Sequence, residues 1–190
     1  MNHSCQPNCE RTWDSIRETE TLYARQYIKP GEELMVWYDD MTELTRKERQ
    51  STLSERWRFE CACECCSLTG EAQRESDQRR EFIRNFYSRA TAGVLSPTPL
   101  FELAKTALEH CDIEGLKGSP TAGVCHYGYQ LALQLRDLEE ATRWIHRYHS
   151  EFLLATGDKS SWTRGALELV NDPTDHPAWN PLRNPVWLFL

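Results

Sequence analysis

The sequence predicts an α+β protein laid out in chain order: a small β-rich amino-terminal piece, a cysteine-rich loop, and an all-helical carboxyl-terminal half. Three observations predict it. Strand-like runs flank a Pro-Gly turn before residue 40, four cysteines crowd into Cys61-Ala62-Cys63-Glu64-Cys65-Cys66, and the texture becomes charged and amphipathic from Glu71 onward.

Thr21–Ile28 is rich in aromatic and aliphatic residues and reads as a strand. Lys29-Pro30-Gly31-Glu32 places Pro and Gly at the two central positions that a type II turn prefers, and Leu34–Tyr38 reads as a second short strand. Residues 45–57 read as a helix that opens on Thr45-Arg46-Lys47-Glu48, a capping-box pattern. The cysteine cluster follows as a loop. Residues 71–92 form an amphipathic helix with Phe82, Ile83, Phe86 and Tyr87 on one side. Thr98-Pro99 is expected to open the next helix and Ser119-Pro120 a third, running to about Arg136, each with Pro at the first helical position. A fourth covers roughly Leu138–Ala155 and ends at Gly157, and Ser161 is expected to cap a fifth through Val170. The tail, with Pro173, Pro177, Pro181 and Pro185 and with Trp179 and Trp187, is expected to be irregular. The expected divisions are therefore 1–40, 41–70, 71–170 and 171–190.

A chain of 190 residues can bury one good core or two small ones. Charged residues at 27% and hydrophobic residues at 39% suit a soluble globular protein. A formal charge of −7 argues against direct nucleic-acid binding and suits a basic peptide better. No apolar run approaches a membrane span, and the amino terminus lacks the basic-then-apolar layout of a signal peptide. The expected compartment is nucleus or cytoplasm, with neither secretion nor a membrane partner.

Eight cysteines in such a chain need a chemical account. Near neighbours cannot easily form disulfides with one another, so thiolate–metal chemistry suits the cluster better. Cys61-x-Cys63-x-x-Cys66 offers three thiolates within six residues, and tetrahedral zinc needs a fourth from elsewhere. Cys65 is the spare and could stand in for Cys66. Cys9, Cys111 and Cys125 read as core thiols.

Four elements resemble, in order, the SET-domain protein lysine methyltransferases: Asn2-His3-Ser4-Cys5-x-Pro7-Asn8, then Gly31-Glu32-Glu33-Leu34, then Tyr38, then Phe59-x-Cys61-x-Cys63-x-x-Cys66. The spacing, the helix before the cysteines and the helical carboxyl half are most similar to the SET-and-MYND branch and its fungal relatives. The resemblance implies the C-terminal part of a β-rich SET fold, a post-SET zinc loop, and an all-α region of tetratricopeptide-like texture. It implies S-adenosylmethionine as cofactor and structural Zn2+ held by Cys5, Cys61, Cys63 and Cys66. Asn2 and His3 match the pair that contacts the cofactor, Phe59 the aromatic that packs on its adenine, and Tyr38 the catalytic tyrosine beside both cofactor and lysine. Trp57 stands where the branch often has a tyrosine lining the lysine channel. The implied partner is a lysine-containing protein or peptide, histone or non-histone.

The implied chemistry needs a neutral amine, whereas free lysine titrates near 10.4. A narrow apolar channel beside a sulfonium disfavours the ammonium form. No Gly-x-Gly triplet occurs in the chain, and the amino half of a SET domain, which carries it, is not represented. The expectation is thus a truncated copy of a lysine N-methyltransferase whose activity alone is doubtful. The alternative is a non-catalytic, zinc-binding, helical protein-interaction module derived from a SET protein.

Overall fold

A computed structural model describes residues 1–14 and 18–179. The architecture is α+β, with four short strands before seven helices among the described residues. Strands β1 (Asn2–His3) and β4 (Met35–Val36) pair in parallel, Asn2 opposite Met35 and His3 opposite Val36. Strands β2 (Cys9–Asp14) and β3 (Thr19–Ala24) form an antiparallel ribbon with Cys9 opposite Ala24 and Asp14 opposite Thr19. The expected strand 21–28 therefore begins earlier and stops at Ala24. Beyond it, Arg25 turns inward, with its guanidinium 4.1 Å above the Trp37 ring and 3.5 Å from Glu10. At the turn, Gly31 takes φ 86°, a left-handed value that costs glycine little, and Glu32 N–H donates to the Lys29 carbonyl at 3.0 Å.

Helix α1 (Arg46–Trp57) starts at a complete capping box between Thr45 and Glu48. The same Glu48 carboxylate accepts from Arg84 at 3.0 and 3.1 Å, which ties α1 to α3 (Gly70–Ala92). The cysteine cluster is not all loop: Glu64–Ser67 forms one helical turn, α2. Helix α4 (Pro97–Ile113) has Ser96 at its N-cap position, with no side-chain capping bond, and starts two residues before the expected Pro99. Both prolines lie in the first turn, where a backbone N–H has no intrahelical acceptor. Helix α5 (Ser119–Gln134) has Gly118 as its N-cap and Pro120 as its second residue, and it ends short of Arg136. Gly118 has φ 75°, a conformation that serine would resist. Helix α6 (Leu138–Thr156) is capped by Asp137 and ends on Gly157, and α7 (Ser161–Asn171) is capped by Ser160 rather than Ser161. Residues 172–179 form turns docked on α5, with Tyr129 Oη donating to the Pro173 carbonyl at 2.7 Å. Pro181, Pro185 and Trp187 of the expected irregular tail lie outside the described residues.

Each helix from α3 onward packs on the next in sequence. Their shared core includes Ile83, Phe86, Phe101, Tyr129, Trp144 and Ile145. A second cluster gathers Cys5, Met41, Leu53, Cys61, Cys65 and Cys66 under α1. The β2–β3 ribbon lies against the end of α6, where Thr12 Oγ1 donates to the Ala155 carbonyl at 2.9 Å.

Two expected outcomes test this packing. A methyl group at Gly128, in the middle of α5, would collide with the Trp144 ring. Helix propensity favours Ala over Gly by up to about 1 kcal/mol, but overpacking costs about 1–3 kcal/mol. Gly128→Ala is therefore expected to destabilise, read as a lower urea midpoint, and an unchanged or higher midpoint would refute the contact. His126 stacks on Tyr148 at 5.2 Å and meets His176 edge-on at 6.3 Å. Burial pushes both imidazoles down, His176 to about 4 with help from His126. An unfolded histidine titrates near 6.5, so the unfolded chain takes up protons first as pH falls. The stability these rings contribute is complete above about pH 6.5 and is lost progressively toward pH 4. His176→Gln is expected to make the thermal midpoint fall less steeply over that window.

Candidate functional site

The site begins with Asn8, which is buried and acts as a substitute backbone. Its Nδ2 donates to Glu32 Oε1 at 3.1 Å and to the Glu33 carbonyl at 2.9 Å, and its Oδ1 accepts from Met35 N–H at 2.9 Å. These bonds lock the Gly31 turn onto the first residues. Asn2 Nδ2 adds a bond to Glu33 Oε1 at 2.6 Å. The pairing of β1 with β4 then brings Tyr38 beside His3.

His3 is buried, and burial lowers its affinity for a proton. Its Nδ1 accepts from Tyr38 N–H at 3.3 Å. The neutral ring must then carry its proton on Nε2, which lies 3.4 Å from Cys5 Sγ. One imidazole thus joins the tyrosine backbone to the cysteine cluster. Tyr38 Oη donates to the Met1 carbonyl at 3.0 Å. Its ring lies 5.4 Å from His3, 6.1 Å from Phe59 and 4.7 Å from Trp57. Trp57 Nε1 donates to Asp39 at 3.2 Å, and Arg56 lies 3.0 Å from the same carboxylate. The bonds from Trp57 and Arg56 hold the Asp39 carboxyl below its ordinary range.

Asn2, His3, Tyr38, Trp57 and Phe59 line one cavity of about 480 Å³, together with the Cys61–Cys63 segment. On its other side Tyr38 borders a larger cavity of about 540 Å³, with Trp37, Asp39, Asp40, Glu43 and Tyr87 in its wall. Tyr38 is therefore common to both.

The Sγ atoms of Cys5, Cys61, Cys63 and Cys66 all lie within 4.8 Å of one another, with Cys5 and Cys66 3.4 Å apart. Tetrahedral zinc with Zn–S near 2.3 Å would set the sulfurs roughly 3.8 Å apart, so this donor set suits the ion in chemistry and in spacing. Of the adjacent pair, Cys66 joins the other three, while Cys65 points to Arg49 and Arg80 at 3.2 and 3.4 Å. Helix α1 holds the loop in register. Gln50 Nε2 donates to the Cys61 carbonyl at 2.7 Å, Gln50 Oε1 accepts from Cys61 N–H at 2.9 Å, and Arg46 Nε donates to the Cys66 carbonyl at 2.6 Å.

Sequence reasoning singled out every residue named for the smaller cavity and for the four-sulfur group. It gave no part to Asp39, Gln50, Arg49 or Arg80. Gln50 and Arg49 follow a capping box at helical spacing, so a face turned to the cysteine loop could have been read, but no residue type marks the partner. Arg80 carries no signal, because its contacts depend on how α3 crosses the loop.

Residues 1–39 match the SET domain family model. The chain is 35% identical over 179 residues to histone-lysine N-methyltransferase set5 of Schizosaccharomyces pombe, covering 93% of this chain and 56% of that protein. It is 37% identical over 81 residues to histone-lysine N-methyltransferase SMYD3 of Mus musculus, 38% of this chain and 18% of that one. Protein-lysine N-trimethyltransferase SMYD5 of Mus musculus matches at 37% over 67 residues, 34% of this chain and 16% of the relative. The chain thus spans little more than half of the yeast relative's length and smaller parts of the others. It carries a SET-domain segment at its amino end and resembles the SET-and-MYND branch and its fungal relatives.

Proposed function

We propose that this chain carries the site of an S-adenosylmethionine-dependent protein-lysine N-methyltransferase, with zinc bound by Cys5, Cys61, Cys63 and Cys66. One observation carries the reading: Asn2, His3, Tyr38, Trp57 and Phe59 line a single cavity walled by the cysteine loop. At about 480 Å³ the cavity falls within the range usual for small-ligand sites. The names of the relatives support the reaction class.

When bound, S-adenosylmethionine supplies an electrophilic methyl group. Phe59 offers an aromatic face for its adenine, and the residue 2–3 segment offers backbone groups. The indole of Trp57 and the ring of Tyr38 form apolar walls that disfavour an ammonium ion. Tyr38 lines both cavities, and His3 secures its backbone N–H. In a transfer that depends on alignment, such positioning contributes much of the rate. The acidic wall of Asp39, Asp40 and Glu43 suits a lysine-bearing protein, histone or otherwise. Zinc here has a closed, structural role, fixing Cys61–Cys63 as one side of the cofactor cavity. Residues 71–170, read as a tetratricopeptide-like scaffold, would support this face from behind. Nucleus or cytoplasm fits such a substrate.

Titration of the zinc-loaded chain with S-adenosylmethionine in a calorimeter is expected to saturate. Phe59→Ala should weaken binding by roughly tenfold, or about 1.4 kcal/mol, and Asn2→Ala should weaken it too. Tyr38→Phe should keep the affinity within a few-fold and lose methyl transfer. Absence of binding by folded, zinc-loaded protein would overturn the enzyme reading and leave the zinc-binding interaction module. Metal analysis is expected to give one zinc per chain, retained in Cys65→Ser and lost in Cys66→Ser. Loss in Cys65→Ser alone would exchange the roles of the two cysteines.

A further inference from the structure

Arg49, on α1, is 1% exposed, so its charge has left water almost completely. Its Nη1 donates to the Leu44 carbonyl at 2.6 Å, while Nη2 lies 3.2 Å from Cys65 Sγ and 3.9 Å from Cys66 Sγ. Its Nε is buried with no hydrogen-bond partner, and none of its partners among the described residues is a carboxylate. A guanidinium cannot escape by losing its proton, and a buried charge persists only beside a compensating one. The groups on offer are sulfur atoms.

Arg80, on α3, is 0% exposed and reaches Cys65 as well, with Nη2 3.4 Å from its Sγ. Its Nε donates to Glu114 at 2.9 Å, but that carboxylate also accepts from Arg79 at 2.7 Å. Arg79 is shared with Glu75 at 3.9 Å, so the charges of Arg79, Arg80, Glu75 and Glu114 balance. Arg49 is the buried positive charge left without a carboxylate. Four neutral thiols would not offset it, whereas four thiolates around a divalent ion carry two net negative charges.

We propose that Arg49 and Arg80 are the counter-ions of the metal–tetrathiolate centre, positioning residues that let Cys5, Cys61, Cys63 and Cys66 keep a doubly negative site in a buried setting. The proposal rests on the reading of those cysteines as zinc ligands and adds what makes their charge tolerable. Cys65 is then the polarisable spacer between the two guanidiniums and the ligands. A structural arginine that merely filled space would behave differently, because its loss would weaken the fold to the same extent with and without metal.

The test compares the wild-type chain with Arg49→Met, Arg49→Lys and Arg80→Met, using Zn2+ against a chromophoric chelator and Co2+ as a spectroscopic probe. Arg49→Met is expected to lower zinc affinity by roughly 10- to 100-fold, the range seen when groups behind metal ligands are removed. Arg49→Lys, which keeps the charge, should stay much closer to wild type. The thiolate-to-cobalt charge-transfer band should persist in all variants, because the ligands are unchanged. In urea, Arg49→Met should be less stable than wild type with zinc bound, yet no less stable after chelation, since the metal-free thiols no longer call for a cation. Wild-type zinc affinity in Arg49→Met, or an equal loss of stability in both forms, would overturn the proposal while leaving the zinc reading intact. Should Arg49→Met not fold, Arg80→Met decides, for Glu114 keeps Arg79, and unchanged zinc affinity there would likewise overturn it. A wild-type chain without the cobalt band would overturn the zinc reading and this proposal together.

Discussion

The structure depends on one buried carboxylate. Glu114, at the end of α4 and 3% exposed, accepts from Ser76 at 2.7 Å, Arg79 at 2.7 Å and Arg80 at 2.9 Å, all on α3. Its own carbonyl accepts from Gln6 Nε2 at 2.7 Å, next to Cys5. Arg80 continues to the Thr42 carbonyl at 2.7 Å and to Cys65. The amino-terminal segment, the cysteine loop and the first pair of carboxyl-terminal helices therefore converge on a single set of charges. Loss of Glu114 would strand the buried Arg80 guanidinium, and breaking a buried pair in this way costs about 3–5 kcal/mol. The geometry of the junction is specified more tightly than apolar contact alone would specify it, since each donor has one direction in which it is satisfied.

The cavity around Tyr38 inherits its order from that junction. Residues 1–8 are too short to form a core of their own, and only two residues of β1 pair with β4. They are held by polar side chains that imitate strand partners: Asn8 for the Gly31 turn, His3 for Tyr38 and Cys5, and Gln6 for Glu114. Trp37 completes the set by donating to the Cys5 carbonyl at 3.3 Å while its ring carries the Arg25 guanidinium. An aromatic pocket can therefore rest on a segment with almost no regular structure, because polar side chains beneath it supply the bonds that strands would otherwise make.

Much of this was legible in the sequence, and the reasons differ by region. Helices announce themselves by period and by caps, so α1 with its Thr45–Glu48 box and α6 with Gly157 at its end were readable to within a residue or two. Starts were misplaced where two cap signals compete: Ser96-Pro97 precedes Thr98-Pro99, and Ser160 precedes Ser161. Strand β2 carries no such signal because Cys-Glu-Arg-Thr-Trp-Asp has no apolar alternation; its inward face is polar and bonds to Ser119 and Ala155 instead of filling a core. The smaller cavity was legible because aromatic and cysteine residues keep their order along the chain. Arg49, Arg80 and Glu114 were not, since a charged residue on an amphipathic helix looks the same whether it faces solvent or a buried partner.

The bonds that tie down the first twelve residues also set an order of events. Gln6 meets a residue 108 positions later, and Thr12 one 143 positions later. During synthesis residues 1–12 emerge well before α6, and Thr12 finds its partner only after α6 has been made. Contacts of such high sequence separation are slow to form, and chain awaiting them is exposed to association. The segment nearest Tyr38 is thus expected to become native late, after the helices it rests on have condensed.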